Sequence, residues 1–195
     1  MRKELLFDLV RRVSELTGVE KPVIVGSQSL YAATEHIPSI VRDSHECDFM
    51  LAEAGIEAIQ AVNHHLGILS SFSRSNGYFA DGLGLATVVL VPGWKDRLIP
   101  LKNENGETVA ECLEPNDTAV SKLMAGRDKD HVFLNEILAG RLITLESLVE
   151  RAALIQQTVH EDALLPRLQK LFDYLRKERT ITDMRSLSEL ISRLR

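Results

Sequence analysis

At Pro115 the chain changes its hydrophobic period, and that change limits the folds open to it. Before Pro115, apolar residues come in short, often β-branched runs separated by Gly, Pro and Asn. Val23-Ile24-Val25, Glu46 to Leu51, Thr87 to Val91, Leu98 to Leu101 and Thr108 to Leu113 read as strands, Thr87 to Val91 most clearly. The last two read as a hairpin around Asn103-Glu104-Asn105-Gly106. Helices are expected over residues 3–17, 27–34 and 56–66. After Pro115 nearly every segment is helical in pattern. One helix runs to Met124, with Asn116 or Asp117 as its cap. A second covers Val132 to Ala139 and closes at Gly140. A third is capped by Thr144, and two more cover Asp162 to Arg176 and Asp183 to Leu194. Strands first and helices after make an α+β chain: a small mixed β-sheet core over residues 1–113, then a C-terminal helical bundle over 114–195 packed on it.

Composition narrows the function classes. Of 195 residues, 45% are hydrophobic, enough for a core and against disorder. The formal net charge is −5, which disfavours a sequence-independent duplex-DNA binder. Cys47 and Cys112 give neither a disulfide framework nor a metal-ligand spacing, as expected in a reducing compartment. The longest apolar stretch, Leu83 to Trp94, is broken by Gly84, Pro92 and Gly93 and is too short to cross a bilayer. It reads as a buried strand, and Met1-Arg2-Lys3-Glu4 opens no signal-peptide pattern. A cytoplasmic protein with no membrane role is the expectation.

Three constellations carry chemistry. In the first, Val23-Ile24-Val25 runs into Gly26-Ser27 and then a helix. Such a turn either offers free N–H groups to a phosphate, with Ser27 as a further donor, or is an ordinary turn with Ser27 as N-cap. In the second, Glu46 and Asp48 are two residues apart on a strand, so both carboxylates share one face and Cys47 and Phe49 the other. Two adjacent carboxylates repel unless a cation lies between them, and oxygen donors suit Mg²⁺ or Mn²⁺; a solvated acidic strand face is the alternative. In the third, Lys122 stands on an otherwise apolar helix, and Lys129 would share its face if that helix continued. Arg127 and Asp128 read as surface ion-pair residues, and His45 as structural.

In this order the motifs resemble the nucleotidyltransferase superfamily with the polymerase-β-type minimal fold. They are closer still to a bacterial branch known mainly as a domain of unknown function. The matching stretches are Val25-Gly26-Ser27-Gln28-Ser29, Ser44-x-Glu46-x-Asp48, Gly77-Tyr78-Phe79-Ala80-Asp81-Gly82, Pro92-Gly93-Trp94-x-x-Arg97-Leu98, and Asp117-x-Ala119-x-Ser121-Lys122-Leu123-x-Ala125-Gly126-Arg127-x-Lys129-Asp130. They cover roughly residues 20 to 152.

The resemblance implies transfer of a nucleoside monophosphate from a nucleoside triphosphate to an RNA or protein acceptor. Toxin–antitoxin pairs are one setting in which relatives of this kind occur. By the same resemblance Gly26 and Ser27 hold the triphosphate, Glu46 and Asp48 bind Mg²⁺ (or Mn²⁺), and Lys122 contacts phosphate, with Lys129 beside it. Two departures stand out. The first carboxylate is Glu46 where Asp is usual, and the expected third carboxylate is missing from Thr87 to Val91, with Asp81 before that run and Asp96 after it. A lost third ligand leaves a second possibility, a catalytically degenerate binding or regulatory module on the same fold. Its partner, or a second copy of the chain, would dock on the C-terminal helices around Leu145, Leu148, Leu164, Leu165, Leu168 and Leu171, unless those leucines are core.

Overall fold

A computed structural model describes residues 1–158 and 160–180, arranged as two units with separate interiors. The first unit comprises Met1–Val88 with Trp94–Glu114; the second takes Val89–Gly93 and the chain from Pro115. The helix expected over Asp183 to Leu194 lies outside the described residues. The fold is α+β with a mixed sheet.

The sheet has five strands: β1 (Val23–Ile24), β2 (Glu46–Met50), β3 (Phe79–Leu83), β4 (Ile99–Lys102) and β5 (Thr108–Cys112). Their order is β3-β2-β1-β5-β4. β1 runs antiparallel to β2 and parallel to β5, β2 and β3 are parallel, and β4 and β5 form the expected hairpin. Helices α1 (Lys3–Thr17), α2 (Ser39–Arg42), α3 (Gly55–His65) and α4 (Ser71–Asn76) complete the unit. One sheet face is the core: Ile24, Cys47, Phe49, Ala80, Ala110 and Cys112 meet Leu6, Leu9, Val10 and Val13 of α1 and Val62 of α3. Full burial of each large aliphatic side chain there contributes roughly 2 kcal/mol. Because strand side chains alternate, this core face sends Glu46, Asp48 and Asp81 to the opposite face.

Two expectations change in this unit. Thr87 to Val91 is not a strand: Leu85–Thr87 is a short 3₁₀ turn, and Val88 to Val91 pairs with no strand among the described residues. The strand is β3, whose Asp81 and Gly82 are poor strand formers in isolation. Pairing with β2 over its whole length overrides that preference. Close packing does too: a Cβ on Gly82 would come within 3.0 Å of the Ile59 carbonyl oxygen, so α3 crosses where no side chain stands. The segment after β1 is a 3₁₀ helix, Ser27–Ala32, capped in position by Gly26 rather than Ser27.

The second unit contains α5 (Pro115–Ala125), α6 (Asp128–Ala139), α7 (Leu145–Ala153) and α8 (Glu161–Lys177), with α5 packed on the other three. Leu148, Leu164, Leu168 and Leu171 are buried. Pro115 takes the first helical position of α5, where its missing N–H costs nothing, so Asn116 and Asp117 lie in the first turn instead of capping it. Thr144 caps α7 as expected, accepting from the Ser147 N–H at 3.1 Å. After α6 the left-handed residue is Arg141 (φ 54°), while Gly140 has a helical φ of −75°. Gly126 (φ +61°) ends α5, and a Cβ there would lie 2.1 Å from the Arg167 guanidinium. The helix carrying Lys122 therefore stops short of Lys129, which lies in the first turn of α6; the two lysines do not share one helix face.

Candidate metal centre

The candidate site is built on β2 and β3. Their parallel register sets Asp48 directly beside Asp81, and Glu46 precedes them on the same face. One oxygen from each of Glu46, Asp48 and Asp81 lies within 4.8 Å of the others, and all three residues are half-buried. Asp81 is thus the third carboxylate. Sequence reasoning placed it before the neighbouring strand because it assigned that strand to Thr87 to Val91; the signal it passed over was the alternation Phe79-Ala80-Asp81-Gly82-Leu83.

Gly26 joins this cluster through space, not through backbone strain. Its φ of −93° suits any residue, but a Cβ would fall 2.0 Å from Asp48 Oδ2. The Asp48 carboxylate therefore occupies the volume that only glycine leaves open. Ladder pairing continues into the turn, with the Val25 N–H donating to the Asp48 carbonyl at 3.0 Å. Ser27 opens the 3₁₀ helix that follows. Inside that helix Gln28 is fully buried and donates from Nε2 to the Val41 carbonyl at 3.0 Å, tying the turn to α2. The burial of Gln28 depends on tertiary packing that no local pattern encodes.

Other residues hold β3 in place. Asn63 of α3 donates from Nδ2 to the Gly82 carbonyl at 3.0 Å, and its Oδ1 accepts from the Gly82 N–H at 2.6 Å. A side-chain amide thus completes the edge strand one residue from Asp81. At the other end the His45 ring donates from Nδ1 to the Gly77 carbonyl at 2.8 Å, so it acts as a structural anchor. Tyr78 donates to Asp8 Oδ2 at 2.8 Å, and Asp8 also receives Arg12 and Arg11, each at 2.7 Å. Burial alone would raise the Asp8 carboxyl; the hydrogen bonds from Arg12, Tyr78 and Arg11 outweigh it and hold it below the usual range.

Asp81 behaves in the opposite way. Burial pushes its carboxyl up, and the negative charge of Glu46 and a hydrogen bond to Glu46 push it further. A divalent cation held between the three oxygens would offset this crowding of carboxylates. Three carboxylate oxygens are a hard-donor set, which fits Mg²⁺ or Mn²⁺.

Lys122 and Lys129 lie in the second unit. The Lys122 ammonium is 3.7 Å from Asp130 Oδ1 and 5.8 Å from the centre of the Phe133 ring. Lys129 is exposed. Arg127, expected in a surface pair, instead binds the buried Asp130 through Nε at 2.8 Å and through its own N–H at 3.1 Å.

Three carboxylates on adjacent parallel strands, set against a Gly-Ser turn, define an α+β protein with a candidate divalent-cation centre of the nucleotidyltransferase type. The chain belongs to the family described as nucleotidyltransferase of unknown function (DUF6036), whose model matches residues 4–179. Membership implies a nucleoside triphosphate substrate, and nucleotidyltransferases generally use divalent metals. No curated protein and no solved structure matches the chain. Among the described residues, no helix is long and apolar enough to cross a membrane.

Proposed function

We propose that the protein is an active Mg²⁺-dependent nucleotidyltransferase that moves a nucleoside monophosphate from a nucleoside triphosphate to an RNA or protein acceptor. The observation that carries this reading is the convergence of Asp81 with Glu46 and Asp48 beside Gly26. A complete set of three carboxylates is what a degenerate module would be expected to lose.

In this reading Glu46, Asp48 and Asp81 hold the cation, which supplies charge neutralisation at the phosphates and activates the attacking oxygen. The chain contributes the rest. Gly26 and Ser27 receive the triphosphate. Asp81, ionised while the cation is held, takes the proton of the acceptor hydroxyl as that oxygen bonds to the α-phosphorus and pyrophosphate leaves. Positioning supplies most of the remaining acceleration. The sheet unit is the nucleotidyltransferase core, and the helices from residue 114 support a partner or a second copy. A cytoplasmic role within a toxin–antitoxin pair accords with this chemistry.

The test is transfer of label from α-labelled nucleoside triphosphates to tRNA or protein acceptors in Mg²⁺. Label should pass to one acceptor class with the native chain and fall by about a hundredfold or more with Asp48→Asn. Absence of transfer under every condition, with Glu46→Ala indistinguishable from the native chain in cells, would leave the non-catalytic module as the reading to keep.

A further inference from the structure

Met50 lies on the same face of β2 as Glu46 and Asp48, two residues further along. It pairs across β1 with Val23, and both line a cavity of about 240 Å³. Leu85 and Trp94 line it as well. Leu85 is 62% exposed, an apolar side chain without a full apolar cover. Trp94 is the single tryptophan of the chain and is half-buried. Lys95 lies 5.7 Å from its ring centre and is ion-paired with Glu53, which also lines the cavity.

We propose that this cavity receives the base of the nucleoside triphosphate, with Trp94 as its stacking surface. The inference rests on the reading of the acidic cluster as the metal and phosphate end of the same substrate. The spacing suits it: two strand residues advance roughly 7 Å, which leaves a ribose between the metal-bound phosphate and the cavity. The lining suits it too. A planar base wants one aromatic face, aliphatic walls and a few polar groups at its edge, and Trp94, Met50, Val23, Leu85, Lys95 and Glu53 supply these in turn. A docked helix or strand would need a longer apolar patch than this concavity offers.

Trp94 makes the proposal directly measurable, because all tryptophan fluorescence of the full chain reports on it. Nucleoside triphosphates in Mg²⁺, corrected for absorbance, should quench that fluorescence saturably. Inorganic tripolyphosphate in Mg²⁺ should bind by calorimetry at least about tenfold more weakly and leave the fluorescence unchanged. Leu85→Arg, on an exposed side chain that the fold tolerates, should weaken nucleotide binding roughly tenfold and leave tripolyphosphate binding unchanged. Equal affinity for nucleotide and tripolyphosphate, or a Leu85→Arg chain that binds nucleotide normally, overturns the base subsite alone. A chain that binds neither ligand overturns the nucleotidyltransferase reading together with it.

Discussion

In the helical unit, buried aspartates sit against cations; on the far face of the sheet, three carboxylates sit against one another. Asp117 is fully buried and bound to Arg151 at 2.5 Å. Asp130 is 1% exposed and bound to Arg127, with Lys122 close by. Burial would raise the Asp130 carboxyl, but hydrogen bonds from Arg127 and the charge of Lys122 overcome it and hold it low. Asp81 moves up, first from burial and then from Glu46. The same residue type stands in two settings: in one, cations of the chain hold the carboxyl low; in the other, carboxylates crowd together and burial and Glu46 hold Asp81 up.

The largest expected effects would break this contrast at either end. Arg151→Ala removes the cation from a fully buried carboxylate, so stability should fall by about 3 kcal/mol in urea denaturation. Asp48→Asn, by contrast, should leave the urea midpoint unchanged or raised. It should weaken Mg²⁺ binding by about a hundredfold or more in calorimetry. If the two variants behaved alike, the distinction between structural and functional carboxylates would be lost.

Gly26→Ala sharpens the comparison at the next level down. Its Cβ cannot share space with Asp48 Oδ2, and the Asp48 Cβ is only 3.1 Å away. The carboxylate must turn aside. Stability should drop by about 1–2 kcal/mol, while Mg²⁺ affinity falls more than tenfold. A Gly26→Ala chain with native metal affinity would show that Asp48 has room to adapt.

Asn63→Ala probes the frame of the site. It removes two hydrogen bonds to Gly82 at the sheet edge, worth about 1–2 kcal/mol together. Amide exchange at β3 should quicken, and Mg²⁺ affinity should fall severalfold because Asp81 loses its neighbouring clamp.

How much of this was legible in the sequence follows from which forces were local. The shared face of Glu46 and Asp48 is a two-residue period, and the structure keeps it. The hairpin around Asn103 to Gly106 is turn chemistry and is kept too. Asp81 was visible only as an outlying candidate for the third carboxylate, because β3 owes its existence to β2 and α3. Val88 to Val91 carries the β-branched residues yet has no sheet neighbour among the described residues. Propensity there spoke for a packing environment that the fold supplies elsewhere. Gly26 was read as a tight turn that lets a phosphate approach; not legible was that a Cβ there would meet the carboxylate of a residue twenty-two positions on. Lys129 left the face of Lys122 because Gly126 adopts a left-handed conformation against Arg167, again a contact distant in sequence.

The smallest effect is the most diagnostic, because its sign differs between the two regions. In the metal-free chain the folded state holds a proton at Asp81 more tightly than the unfolded state does. Stability therefore declines as pH rises through the raised Asp81 pKa, and is flat above it. Asp130 has the opposite linkage: its contribution is present above the ordinary carboxylate pKa and is lost as pH falls through its lowered value. Thermal midpoints from acid to neutral pH should thus rise out of acid as Asp130 ionises, then sag as Asp81 ionises. Asp81→Asn should remove the sag and leave the acid limb. Mg²⁺ should remove it as well, since the cation takes the place of the proton and releases it to the solvent. A sag that survives Asp81→Asn would show that it does not come from Asp81, and Mg²⁺ binding without proton release would show that the cation displaces no proton there.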